Sequence, residues 1–320
     1  MNNGFKTLLL PIVVMSLVAA VPFISNKIEL EVASFDLTSE IALMQSYASA
    51  SYCNLNKYWR FSACLKTPET QLVAHLPDAG YIAYNSKLSS IIIMFSGSSE
   101  FEDFIQDVMK ELVPLDNYPS EFLVHKGFQV SYRNIGNQVL KSVALLIGSY
   151  PTTTIRIVGH SLGGALSSLA ALHIAHAFPQ IIDSITVFTF GQPRIGNRHV
   201  AEKINLLFKD RYYRVTHEAD IGIIRKTSNV TLNWARDVVT FFPTNNEDKV
   251  WYHCGREYWL SDNTLFECSS NAEEDLNCST GLRNYTNTEN LLELLILPTL
   301  YQDIQDHALN SYFYDFGDYC

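Results

Sequence analysis

The sequence is poor in positive charge: 23 lysines and arginines face 33 aspartates and glutamates, leaving a formal net charge of −10. Such a chain is not drawn electrostatically to nucleic acid or to an anionic membrane surface, so neither is an expected partner. Its six cysteines show none of the paired C-x-x-C spacing of a zinc site. No low-complexity linker and no internal repeat divides the 320 residues, which excludes a solenoid and leaves length enough for one substantial core. A comfortable bilayer span is also missing. The most apolar run, Leu8 to Ala20, is too short for one.

That run does carry another meaning. It follows a short polar segment with one lysine, Asn2 to Lys6, and ends in the small residues Val18-Ala19-Ala20, the pattern of a secretory signal cleaved near Ala20. The alternative is an uncleaved anchor extended through Val21-Pro22-Phe23-Ile24. Residues 1–20 are therefore expected to be a signal peptide and 21–320 a single domain. Entry into the secretory pathway fits disulfide use of the cysteines, for which about fifteen pairings are possible. It also fits the sequons at Asn229, Asn277 and Asn284, the middle one crowded by Cys278. Secretion, or retention in the pathway or a vacuole, is the expected destination.

The centre of the chain is Thr154 to Ala171. Ile155, Ile157 and Val158 suit a buried strand, and from Leu162 small and apolar residues recur at helical spacing,. Between them, Gly159-His160-Ser161-Leu162-Gly163 fits G-x-S-x-G, a sharp strand-to-helix turn that exposes a nucleophilic serine. The turn also puts the Leu162 N–H at a helix N-terminus, where an oxyanion would form. The plainer alternative is a tight turn without chemistry.

Other elements take their places around this turn. Asp36 to Ala50 reads as a helix capped by Asp36 or Thr38, with Ile41, Leu43, Met44, Tyr47 and Ala48 on its apolar side,. Tyr81 to Asn85 and Ser90 to Ser96 read as strands. The second runs into Gly97-Ser98-Ser99, where Ser98 can supply a second oxyanion donor by its N–H, unless this is an ordinary strand-end turn. Phe101, Phe104, Ile105, Val108, Met109 and Leu112 then fall on one helical face, before the breaker-rich Pro114 to Ser120,. A short hinged amphipathic helix at about 100–113, next to a nucleophile, suits a lid that covers the site in water and presents its apolar face to lipid; the alternative is a fixed core helix.

Val124 to Val130 reads as a strand or strand end, Tyr132 to Ile147 as a helix, and Ile185 to Phe190 and Arg211 to Thr216 as further strands. Alternation of strand and helix predicts a mostly parallel α/β sheet covered on both faces, with chemistry at the carboxyl ends of its strands. Asp220 lies just past such an end, whereas Asp183 precedes its strand, so Asp220 is the better catalytic acid. In the order nucleophile, acid, base, only His253 and His307 follow Asp220,. His253 sits in the aromatic run Val250 to Cys254, which suits a half-buried strand and a structural role. His307 lies in a polar stretch before Tyr312-Phe313-Tyr314, and is the favoured base.

Taken together, Phe95 to Ser99, Val124 to Phe128, Ile157 to Ala165, Thr189 to Asn197, Arg214 to Asp220 and Asp306-His307 resemble the class 3 lipase family, the fungal-type lipases and feruloyl-type esterases of the α/β-hydrolase superfamily. The stretches stand in family order and cover most of Tyr47 to Cys320. The resemblance implies Ser161, Asp220 and His307 as the triad, Ser98 and Leu162 as oxyanion residues, and Glu100 to Leu112 as the lid, with Asp107 steadying the oxyanion serine when the lid is open. Phe104 stands where many family lids carry tryptophan. It also implies the disulfides Cys53–Cys320 and Cys268–Cys278, and leaves Cys64 and Cys254 without an assigned partner. One departure is Ile221-Gly222-Ile223-Ile224-Arg225, where the family usually has proline and histidine after the acid; another is the polar, cysteine-bearing stretch from Phe242 to Thr288. The implied activity is carboxylic ester hydrolysis through an acyl-enzyme, with no metal and no organic cofactor, on acylglycerol at a lipid–water interface and with no obligate protein partner. Two alternatives stay open: an esterase for soluble esters such as feruloyl esters, and a secreted glycoprotein that kept the fold without catalysis.

Overall fold

The computed structural model describes residues 30–55, 59–97, 111–217, 250–261, 263–268, 278–279 and 312–313. The first elements among the described residues are a short strand, β1 (Glu31–Val32), and a helix, α1 (Phe35–Ala50). The cap of α1 is Ser34, not Asp36 or Thr38: Ser34 has extended backbone, and its side chain accepts the Leu37 N–H at 3.3 Å. That satisfies one of the first-turn donors, and Asp36 adds a negative charge where the helix dipole favours it,. Three strands follow, β2 (Thr70–Leu76), β3 (Gly80–Asn85) and β4 (Ser90–Phe95), paired antiparallel in sequence.

Leu112 is not the last residue of a helix. It opens a strand, β5 (Leu112–Pro114), which pairs antiparallel with β6 (Leu123–His125). Pro114 drives this departure, because proline disfavours helical backbone in the residue before it and offers no N–H to continue a helix. The strand expected through Val130 likewise stops at His125, whose ring nitrogen Nδ1 accepts the Phe128 N–H at 3.3 Å and caps α2 (Lys126–Ser149). A histidine cap is uncommon, which is why the sequence placed this helix start six residues late. Along α2, Phe128, Tyr132, Ile135, Val139, Val143 and Leu146 are buried, one face of a 3.6-residue period.

The remaining elements are β7 (Thr154–His160), α3 (Leu162–Ala177), β8 (Ile185–Phe190), α4 (Arg198–Phe208), β9 (Tyr212–His217), β10 (Arg256–Ser261) and β11 (Thr264–Glu267). The main sheet runs β1-β11-β10-β9-β8-β7-β4-β3-β2. Its centre, β4-β7-β8-β9-β10, is parallel, and antiparallel strands close both sides. This is the mostly parallel sheet that the sequence predicts. Val250 to Cys254 forms no strand; only Tyr252 bridges to Gly196, and the strand begins at Arg256.

Two apolar layers sandwich the sheet. One packs α2, α3 and α4 through Phe128, Val139, Leu169 and Ile204; the other packs α1 through Ile41, Met44 and Tyr47, and takes in Tyr312. Cys268 is bonded to Cys278. Cys53 is disulfide-bonded to a partner outside the described residues, where Cys320 also lies, and Cys64 and Cys254 are buried free thiols.

Candidate active site

Ser161 occupies the single residue between β7 and α3, with φ 56° and ψ −125°. An L-residue holds that conformation only when its surroundings fix it, and here they do. The Ser161 N–H donates to Phe190 O at 2.9 Å, and Ser161 O accepts from Gly164 N at 2.9 Å. Gly163 lets α3 press onto the sheet: a Cβ there would lie 2.3 Å from Phe95 O and 2.8 Å from Ser96 O. The serine is 2% exposed, and its Oγ has no hydrogen-bond partner among the described residues. Leu162 is the first residue of α3, so its N–H has no helical carbonyl behind it and is available to an oxyanion at the positive end of the helix dipole.

The end of β4 forms the opposite wall. Gly97 touches the nucleophile turn, since a Cβ at this position would lie 2.9 Å from Ser161 Cβ and 3.0 Å from His160 O. Its N–H donates to the Tyr52 hydroxyl at 2.8 Å, and the same oxygen is 2.6 Å from His160 Nδ1. Sequence reasoning left Tyr52 unremarked and treated His160 as background; no short-range pattern links positions 108 apart.

Beneath the turn lies a second polar network. Ser168 Oγ donates to Gly164 O at 3.0 Å and meets Tyr212 OH at 2.5 Å; Tyr212 OH donates to Gln192 Oε1 at 2.7 Å, and Gln192 Nε2 reaches Cys254 Sγ at 3.5 Å. Burial holds the Tyr212 phenol well above its ordinary value and raises the Cys254 thiol too, so both stay protonated and the network locks α3 to β8 and β9. Farther along the rim, Arg214 on β9 pairs with Glu257 on β10 at 3.1 Å with both side chains buried. Glu257 also accepts from Thr216 Oγ1 at 2.8 Å and from Ser279 Oγ. These bonds fix the last residues of β9, which ends at His217 beside Tyr312, ring centroids 5.4 Å apart.

Of the site residues expected from sequence, Ser161 and Leu162 are thus placed together, and Leu112 is placed on β5. Ser98, Phe101, Phe104, Ile105, Asp107, Val108, Met109, Asp220 and His307 lie outside the described residues, as do the signal segment and the sequon asparagines Asn229, Asn277 and Asn284. Asp183 is at the amino end of β8, paired with Arg211 at 3.3 Å, on the far edge from Ser161. The earlier histidines have structural occupations: His75 lies tilted against Tyr81, His125 caps α2, His173 meets Tyr132 OH at 3.1 Å, and His176 and His199 lie against Tyr118 and Phe122. His253 is buried.

Residues 92–231 match the family model described as Lipase (class 3). The chain is similar to a lipase of Rhizomucor miehei, 28% identical over 262 residues that cover 78% of this chain and 66% of that one. It is also similar to a secreted alkaline triacylglycerol lipase of Penicillium cyclopium, 22% identical over 298 residues covering 89% and 92%. Among solved structures it resembles a triacylglycerol lipase whose catalytic centre is formed by a serine protease triad, at TM-score 0.68 and 25% identity, covering 81% of this chain and 94% of that one. The shared architecture is the α/β-hydrolase fold. The chain spans slightly less than two thirds of the length of the Rhizomucor miehei protein.

Proposed function

We propose, from the match of residues 92–231 to the class 3 lipase family and the likeness to the lipases named above, that the chain is a serine ester hydrolase acting on triacylglycerol or a related acylglycerol. The observation that carries the reading is the Ser161 turn: a strained, buried serine whose hydroxyl has no partner among the described residues, between a parallel strand and a helix N-terminus. Its backbone bonds fix the turn while the hydroxyl carries no structural bond among the described residues, and the conformation suits nucleophilic attack,.

In the proposed reaction, His307, oriented by Asp220, takes the proton of Ser161 as Oγ attacks the ester carbonyl. The N–H groups of Leu162 and Ser98 receive the oxyanion, the alcohol leaves with the proton returned by His307, and water releases the acid by the same sequence. Two features support this constellation. β9 is parallel to β7 and β8 and ends three residues before Asp220, on the same rim as Ser161. Tyr312, five residues beyond His307, packs on Phe190 with ring centroids 5.5 Å apart, and five residues of chain reach at most about 18 Å.

The segment from about 100 to 111, with Asp107 and the apolar residues Phe101, Phe104, Ile105, Val108 and Met109, is proposed as the cover that meets a lipid–water interface. The short strand at Leu112 then marks where the cover joins the body. The relatives named above include a secreted lipase, and among the described residues no helix is long and apolar enough to cross a membrane; entry into the secretory pathway through residues 1–20 is proposed on that basis.

The test is hydrolysis of a short-chain triacylglycerol through its solubility limit. A steep rise in rate above the limit is the expected result. A hyperbolic curve with no rise assigns the chain to soluble esters instead. No hydrolysis, with no labelling of Ser161 by a fluorophosphonate, overturns the enzymatic reading.

A further inference from the structure

The wall facing Ser161 is bare backbone. β4 makes its last sheet pairing at Phe95, and Ser96 N still reaches Ala79 O at 2.9 Å. One residue on, the Gly97 N–H has left the ladder and needs an acceptor from elsewhere. Tyr52 supplies it at 2.8 Å, and its oxygen also meets His160 Nδ1, the residue before the nucleophile, at 2.6 Å. A single hydroxyl therefore ties the two sides of the candidate oxyanion site to each other.

Tyr52 is well placed to hold position. It follows the last turn of α1, its N–H donates to Ser49 O at 3.2 Å, and Cys53 beside it is buried and disulfide-bonded. Tyr81 OH secures the same turn, donating to Cys53 O at 2.8 Å and accepting from Leu55 N at 3.0 Å. The contact of Gly97 with Ser161 leaves no slack: a Cβ at Gly97 would come 2.4 Å from the Tyr52 oxygen.

We propose that Tyr52 is a positioning residue for acyl transfer, its hydroxyl pinning the Gly97 backbone and the His160–Ser161 turn at the separation an oxyanion requires. The inference rests on the reading of the chain as a serine ester hydrolase and deepens it. Oxyanion donors work within about 2.7–3.1 Å of the charged oxygen, so a few tenths of an ångström of drift in the backbone after Gly97 weakens the transition state more than the bound ester. The loss belongs in kcat and not in KM.

The experiment compares Tyr52→Phe with Tyr47→Phe on a water-soluble p-nitrophenyl ester below its solubility limit, with turnover expressed per active site titrated by a p-nitrophenyl phosphonate. Tyr47 lies on the same helix, and its hydroxyl bonds Thr70 Oγ1 at 2.9 Å and Asn85 Nδ2 at 3.0 Å, so it reports what losing a structural phenol does. Tyr52→Phe is expected to lower kcat about 10- to 100-fold, less than the 10²–10³ of an oxyanion donor deleted outright, with KM within about twofold. Phosphonate inactivation should slow in parallel, because its phosphoryl oxygen occupies the oxyanion position. Tyr47→Phe should melt earlier and keep kcat within about twofold. If Tyr52→Phe does not fold, 4-fluorophenylalanine at position 52 fills the same volume without the acceptor and is expected to give the same loss. A kcat for either position-52 variant within about threefold of wild type, or a fall no larger than that of Tyr47→Phe, overturns the proposal while leaving the hydrolase reading intact. A wild-type chain that hydrolyses no ester overturns both.

Discussion

Removing the proposed nucleophile, Ser161, should make this protein more stable. Ser161 Oγ is buried and has no partner among the described residues, and a buried hydroxyl left unpaired costs about 1–3 kcal/mol. Ser161→Ala keeps Cβ and deletes only that oxygen, so a gain of about 1 kcal/mol is expected. Ser161→Gly goes further by releasing the backbone held at φ 56°. Such strain is worth about 1–3 kcal/mol in a residue with a side chain, from which about 0.5–1 is subtracted for the greater freedom of glycine in the unfolded chain. The net is about another 1 kcal/mol. With an unfolding entropy of about 2.1 cal/mol/K per residue, 1 kcal/mol is worth about 1.5–2 °C in a chain of this length, so the melting order is glycine above alanine above wild type, in steps of about 1.5–2 °C. Differential scanning calorimetry reads the order, and ester turnover should fall in both variants by about six orders of magnitude. If both variants melt below wild type, the serine hydroxyl is stabilised by bonds in the resting molecule, and the account of a nucleophile held without partners is wrong.

Three further outcomes follow from the packing. Gly163→Ala would force a methyl against Phe95 O and Ser96 O, costing about 1–3 kcal/mol or more and most of the activity; Gly148→Ala, with nothing within 4 Å of the added methyl, should be neutral or gain about 0.5–1 kcal/mol, both read by chemical denaturation. Glu257→Ala leaves Arg214 charged, buried and unpaired, for an expected loss of about 3–5 kcal/mol, visible as a lower urea midpoint. Burial, with a contribution from His176 and against Asp116, holds the His173 imidazole below its ordinary value. The unfolded chain therefore binds the proton more readily, stability is complete above the unfolded value near 6.5, and it declines as pH falls through the lower folded value. His173→Gln should lose less melting temperature than wild type between pH 7 and 5, and equal declines would refute the assignment. Asp116, itself held low by Arg133, titrates below that window.

What could be read ahead of the fold was what is written locally. The G-x-S-x-G turn, β7 and α3 are contiguous, and glycines that forbid a side chain mark the close contact of helix and sheet. The parallel centre followed from alternation of β-branched runs with helical ones. Leu112 misled because the 3.6-residue period of the preceding stretch happens to include it, whereas Pro114 fixes the backbone just beyond. The start of α2 was missed because its cap is an imidazole. Tyr52, Gln192 and Glu257 were invisible for a different reason: each matters through a partner brought near only by the sheet, Tyr52 to His160, Gln192 to Tyr212, and Glu257 to Arg214. A tyrosine after a helix and a glutamate in an aromatic strand carry no signature of such roles.

The two free thiols have a consequence for how the molecule reaches this state. Cys254 is shielded only once Tyr212 and Gln192 close over it, and it precedes the bonded Cys268 and Cys278 by a short stretch of chain. Under oxidising conditions the half-folded polypeptide therefore presents a competitor for the native bridge, since a loop of 14 residues from Cys254 to Cys268 closes only slightly less readily than the native loop of 10,. Correct oxidation depends on the sheet assembling first, which makes the yield of active material in refolding sensitive to the order of events and responsive to a disulfide-shuffling catalyst.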